Sequence, residues 1–132
     1  MATRHQVRQS VISLLYAKEL NHSAREDFVE EFLDEKKIRN EQKHFTLSLY
    51  QGVFENLETI DKKLSMYLNE KELQRLGIIE RSILRLGAYE LLFSQTDKAI
   101  VINEAIELAK ELGSDNAPKF INGVLDALKK DL

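Results

Sequence analysis

A chain of 132 residues with one proline and five scattered glycines has few places to turn sharply. A sandwich or barrel of strands needs a turn about every 8–12 residues, made largely by Gly, Pro, Asn and Asp. Their scarcity argues for long helices. Leu, Glu, Lys and Ala, all strong helix formers, dominate the composition. Hydrophobic residues at 43% and charged residues at 31% match a packed globular domain rather than a disordered chain. The expectation is an all-α fold in a single domain.

The apolar spacing gives about seven helices. Thr3 and Gln6 have capping-box spacing, as do Ser23 and Glu26, and Asn69 with Glu72 is the analogous pair. The first helix runs to about Leu20 with Val7, Val11, Leu14 and Leu15 on one face. A second, roughly 24–36, is expected to bury Phe28, Phe32 and Leu33. A third is predicted unbroken over about 40–66, on the stripe Phe45, Leu49, Val53, Leu57, Ile60 and Leu64, with Gly52 inside it. A short turn at 70–76 ends near Gly77. A helix over about 78–94, apolar on more than one side, is expected at the centre. Another spans about 98–112 and stops at Gly113, and the last opens at Pro118. The connections are short, so 1–132 reads as one domain with sub-bundles at about 1–66 and 67–132.

Several function classes find no support. With no cysteine there is no disulfide framework and no thiolate zinc site, which suits a reducing, cytoplasmic setting. No apolar run is long enough to span a bilayer. The stretch VISLLYA after Arg4 and Arg8 is interrupted by Ser13 and continues in helical period, unlike a signal peptide. His5, His22 and His44 are scattered, with no His-x-x-x-His pair to seat a metal, and no Gly-rich loop is present for a phosphate cofactor. Glu30 and Asp34 stand at helical spacing, but a solvated face is the plainer reading than a general acid/base pair. No cofactor, metal or catalytic residue is expected.

Two stretches invite a ligand. Arg4 and Arg8 lie one turn apart at the positive end of a helix, where cations are disfavoured. An external phosphate would suit them, since the guanidinium fork bonds it bidentately. His5, Gln6 and Gln9 add polar groups, and Tyr16 offers a stacking surface for an unpaired base. Residues 1–20 hold three cations and one acid, whereas 26–35 hold six acids and no base. That contrast fits a polyanion and a basic protein partner together, or simply solvated faces. The second stretch is Asn122-Gly123, a turn signal inside a helix-period pattern. Lys119 lies opposite the apolar arc and the pair flanks it. Gly123 either relieves crowding against another helix or keeps backbone bare for a ligand, and periodicity does not choose.

The segments ERSILRLGAYEL (80–91), INEAIELAKELG (102–113) and KFINGVLDAL (119–128) resemble successive signatures of the NusB family. RHQVRQSVISLLYAKEL (4–20) resembles that family's arginine-bearing first helix. The likeness covers essentially the whole chain, in order. It implies two small helical bundles packed across each other. It also implies a bacterial transcription antitermination factor, one that binds boxA RNA of ribosomal RNA leaders with NusE, a ribosomal small-subunit protein. Together these help assemble an antitermination complex on RNA polymerase.

Carried over residue by residue, the resemblance implies that Arg4 and Arg8 match the RNA-binding arginines and Tyr16 a tyrosine on the same helix. Lys119, Phe120, Asn122 and Gly123 match a Lys-Phe-x-Asn-Gly motif beside the RNA, and Glu80 an acidic position facing NusE. His5, Gln6 and Gln9 stand where relatives often have more arginine, which implies weaker phosphate attraction and greater reliance on NusE. Pro118 replaces a small polar residue common in relatives. A NusB-like domain also precedes some RNA cytosine methyltransferases, but the chain ends at Leu132 with no site for a methyl donor, so a non-enzymatic role is expected. Some family members form homodimers, a further arrangement open to this chain.

Overall fold

The computed structural model describes residues 2–21 and 26–132. Eight helices follow one another, with no strand among the described residues: α1 (Arg4–Asn21), α2 (Glu26–Glu35), α3 (Glu41–Glu55), α4 (Leu57–Leu64), α5 (Glu70–Arg75), α6 (Ile78–Phe93), α7 (Lys98–Leu112) and α8 (Ala117–Lys130). The chain divides into two compact units, Met1–Gly52 and Val53–Leu132.

In the first unit, α1 starts on the anticipated capping box. The Thr3 N–H donates to Gln6 Oε1 at 2.8 Å, and the Gln6 N–H donates to Thr3 Oγ1 at 3.1 Å. Val7, Val11, Ile12, Leu14 and Leu15 are buried along this helix. The expected Ser23–Glu26 cap and His22 lie outside the described residues.

In α2 the buried residues are Val29 and Leu33, whereas Phe28 is 44% exposed and Phe32 half-buried. The expectation that Phe28 and Phe32 are core is therefore corrected. The two phenylalanines stack along one edge of the helix, 6.2 Å between centroids. The helix ends in a Schellman motif: the Ile38 N–H donates to Leu33 O at 2.9 Å and the Lys37 N–H to Asp34 O at 3.0 Å. Lys37 takes the left-handed conformation there (φ 58°), and Leu33 and Ile38 pack as the hydrophobic pair the motif favours. Glu30 pairs with Lys43 and Asp34 with Arg39, all on the surface, which accounts for these acids as solvated ion pairs.

The predicted single helix over 40–66 is two helices. Asn56 leaves helical geometry (φ −115°, ψ 16°), and α4 begins with the Ile60 N–H bonded to Asn56 O at 2.9 Å. Asparagine competes poorly for a helix interior. The buried stripe of Val53, Ile60 and Leu64 keeps its spacing across the break, so periodicity runs through it unchanged.

The second unit is built on α6, which packs against α4, α7 and α8. Ile83, Leu84, Leu86, Gly87, Ala88 and Leu91 are buried on it, as the all-round apolar pattern anticipates. A side chain at Gly87 would stand 2.7 Å from Leu125 Cδ1 of α8, so glycine sets the close approach of those helices. Gly113, just after α7, is extended rather than left-handed. A Cβ there would meet Ala109 O and Ala117 Cβ, both at 2.9 Å, and that crowding is what requires the glycine. The α7 start is capped by Asp97, which accepts from the Ala99 N–H at 2.8 Å.

Polar ties between helices help hold the second unit together. Arg85 grips Asp61 with a bidentate fork, Nε to Oδ1 at 2.9 Å and Nη2 to Oδ2 at 2.8 Å, with the two side chains 12% and 25% exposed. Arg81, 7% exposed, donates from Nη1 to the carbonyls of Gln74 and Leu76, both at 3.2 Å, fixing the end of α5 to α6. Burial first, and the Arg85 charge second, lower the Arg81 pKa.

Candidate nucleic-acid interface

Each unit carries part of the anticipated surface. In Met1–Gly52, Arg4 is exposed at the start of α1, with its guanidinium 4.4 Å from the centroid of Phe45 on α3. Arg8 also lies over that ring, at 5.8 Å, but is only 2% exposed. The two arginines therefore differ in kind. Arg4 is open to solvent, whereas Arg8 is enclosed. Arg8 backs Phe45 and keeps the ring under Arg4. Such face-on cation–π contacts are worth about 0.5–2 kcal/mol. α1 has no acid in its first turn, so nothing there competes with an incoming anion.

His5 and Gln9 are half-buried and Tyr16 is 38% exposed. Counting about 100° per residue, His5, Gln9 and Tyr16 fall within a narrow arc of α1, away from Arg4. They form a separate polar and aromatic face rather than an extension of the arginine site. Phe45 enters sequence reasoning only as a core position; its half-exposed ring beneath a cation leaves no mark in an i, i+3, i+4 pattern.

In Val53–Leu132 the start of α8 presents the other part. Pro118 stands in the first turn, where its missing N–H costs no helical bond, and that turn contains no acid. Ala117, Ile121, Val124, Leu125 and Leu128 are buried, leaving Lys119, Phe120, Asn122 and Gly123 on one solvent-facing arc. Lys119 and Gly123 are one turn apart, and Phe120 is 36% exposed. A Cβ at Gly123 would meet nothing within 4 Å. The crowding account of Gly123 is thereby removed, and bare backbone beside an amide, a cation and a ring remains.

Glu80, in the first turn of α6, is only half-exposed. Its Oε1 accepts from the Ser114 N–H at 3.1 Å, and its Oε2 folds back to 2.6 Å from where a Gly77 side chain would begin. The carboxylate thus has an internal duty, holding the α7–α8 connection to the start of α6. No group of three or more His, Cys, Asp or Glu placed to hold a metal occurs among the described residues, and no described helix is long and apolar enough to cross a membrane.

Helices that expose cations and aromatic rings at two acid-free starts define a class of helical nucleic-acid-binding domain. The match to a known family is direct. The NusB family model matches residues 5–130. The chain is 71% identical over 130 residues to the transcription antitermination protein NusB of Campylobacter jejuni strain 81-176, covering 98% of each. Among solved structures it is similar to T. maritima NusB, with a TM-score of 0.90, 37% identity and coverage of 98% of this chain and 92% of that one. It is also similar to a chain in a crystal structure of the antitermination factors NusB and NusE in complex with dsRNA, with a TM-score of 0.87, 30% identity and coverage of 98% and 97%. The chain belongs to the NusB family.

Proposed function

We propose that this chain is a bacterial, cytoplasmic transcription antitermination factor. It binds boxA RNA of ribosomal RNA leader transcripts together with NusE and helps assemble an antitermination complex on RNA polymerase. The observation that carries this reading is likeness over nearly the whole chain to a protein whose crystal structure holds NusB with NusE on RNA. The role is one of binding rather than catalysis. Arg4 and Lys119 neutralise phosphates, and Tyr16, Phe120 and Asn122 supply stacking faces and an amide. The bare backbone at Gly123 lets the strand approach α8 closely.

The related complex contains double-stranded RNA, yet the exposed rings here favour an unpaired strand, whose bases are free to stack. Acidic surface, including the α2 run, suits a basic ribosomal partner. Glu80 belongs to the partner-facing surface in this reading, steadied by its bond to Ser114.

Fluorescence anisotropy with a single-stranded boxA oligonucleotide in the presence of NusE tests the proposal. Arg4→Ala and Lys119→Ala should each weaken binding and make the slope of log K against log salt shallower by about 0.7, the value for one phosphate on a single strand. Unlabelled single strand should compete better than the same sequence as duplex. Unchanged slopes in both variants, or equal competition by duplex, would contradict the assignment.

A further inference from the structure

The first unit contains a groove that the arginine site does not use. Its volume is about 360 Å³, and its walls come from Gln6, Gln9, Ser10 and Ser13 of α1 and from Phe32, Lys36 and Lys37 at the end of α2. Counting about 100° per residue, the α1 members fall on the side of that helix away from Arg4. The groove owes its shape to the Schellman turn. Left-handed Lys37 reverses the chain, Ile38 is pulled into the core beside Leu33, and the two lysines are left exposed at the rim. Lys36 Nζ rests 5.7 Å from the Phe32 centroid, so one cation stands over an aromatic wall. Ser10 is 5% exposed, which makes it a polar group low in the wall. Among the described residues that line the groove, none is acidic, although α2 carries Glu30, Glu31, Asp34 and Glu35 on its other faces.

The polar groups are of both kinds. Gln6 uses its amide oxygen in the capping box, which turns its NH₂ donors to other duty. Ser13 donates its hydroxyl proton to Gln9 O at 3.2 Å, leaving oxygen lone pairs to accept. A site for a bare anion needs donors alone. Donors beside acceptors, against a ring and under two cations, suit the edge of a nucleobase with its phosphate at the rim.

We infer that this groove is a subsite for one unpaired nucleotide of the RNA, its base against Phe32 and the α1 amides and its phosphate at Lys36 and Lys37. The inference rests on the RNA-binding reading above and adds a second, separate contact on the same unit. The test is the anisotropy titration with single-stranded boxA RNA and NusE, using Lys36→Ala/Lys37→Ala. Both lysines are exposed, and thermal melting checks that the fold is intact. In parallel, the parent protein is photo-crosslinked to RNA carrying 4-thiouridine. The double variant should bind about three- to tenfold more weakly, with a salt slope shallower by about 0.7, one single-strand phosphate's worth. Adducts should map between Gln6 and Ser13. Binding and slope unchanged in the double variant, while Arg4→Ala or Lys119→Ala still weakens binding, would overturn the groove and leave the RNA-binding reading standing. Failure of the parent itself to bind would overturn both.

Discussion

At the scale of single residues, three positions in two cases carry the account because their surroundings separate roles that residue type alone leaves merged. Gly123 sits in mid-helix with open space where a side chain would be. Gly123→Ala should therefore stabilise the fold by about 0.5–1 kcal/mol, the ordinary helix-propensity gain, and weaken RNA binding. Urea denaturation reads the first and anisotropy the second; a loss of stability would restore the packing explanation. Arg4 and Arg8 are the second case. Arg8→Ala opens a hole at a buried charged side chain and should cost about 2–4 kcal/mol, whereas Arg4→Ala, at an exposed site, should cost less than about 1 kcal/mol. Equal stability of the two variants by denaturant midpoint would show that Arg8 is not part of the core. The sequence marks both as arginines one turn apart and nothing more. Burial distinguishes them, and burial depends on where Phe45 of α3 comes to lie.

At the scale of elements, the ties between helices set stability. Asp61→Asn strips the Arg85 fork of its charge partner in a mostly buried place and should cost about 1–3 kcal/mol by thermal or urea unfolding. A cost near zero would mean that solvent already replaces the pair. Tyr67 reaches Asp131 beyond α8 through its phenolic O–H. That hydrogen bond, then burial, then the Asp131 charge raise the Tyr67 pKa above 10.0, and burial raises Tyr50 as well. Above pH 10 the unfolded chain releases these protons first. The stabilisation is complete below the unfolded pKa and drains away as pH rises through the folded values. Melting temperature should fall as pH rises past 10, less steeply in Tyr67→Phe; an identical fall would remove Tyr67 from the effect.

Helix positions were legible in the sequence because caps and apolar spacing act locally. The Thr3–Gln6 box, the buried α6 and the stop at Gly113 all follow from neighbours in the chain. The break at Asn56 was not legible, since the stripe continues in step across it. Nor was the exposure of Phe28 and Phe32, because Val29 and Leu33 offer an equally regular i, i+4 pair for the core. The α8 surface was half legible. Lys119 and the Asn122-Gly123 pair stood out by type, but only the open space around Gly123 decides what the glycine does. The groove under Lys36 and Lys37 had no signal, as it depends on a left-handed lysine and on two helices meeting.

At the scale of the molecule, the chain is divided at Gly52–Val53, and each unit brings its own exposed cation and ring: Arg4 with Phe45 in one, Lys119 with Phe120 in the other. The net charge of −3 makes phosphate attraction a local matter rather than a property of the whole surface. With few cations in play, affinity for RNA by this chain alone should be modest, and a basic partner should supply what is missing. The most direct measurement is titration of single-stranded boxA RNA with this protein, with and without saturating NusE, at fixed salt. The account predicts markedly tighter binding when NusE is present, by at least about tenfold, equivalent to about 1.4 kcal/mol of coupling. The same affinity with and without NusE would contradict it.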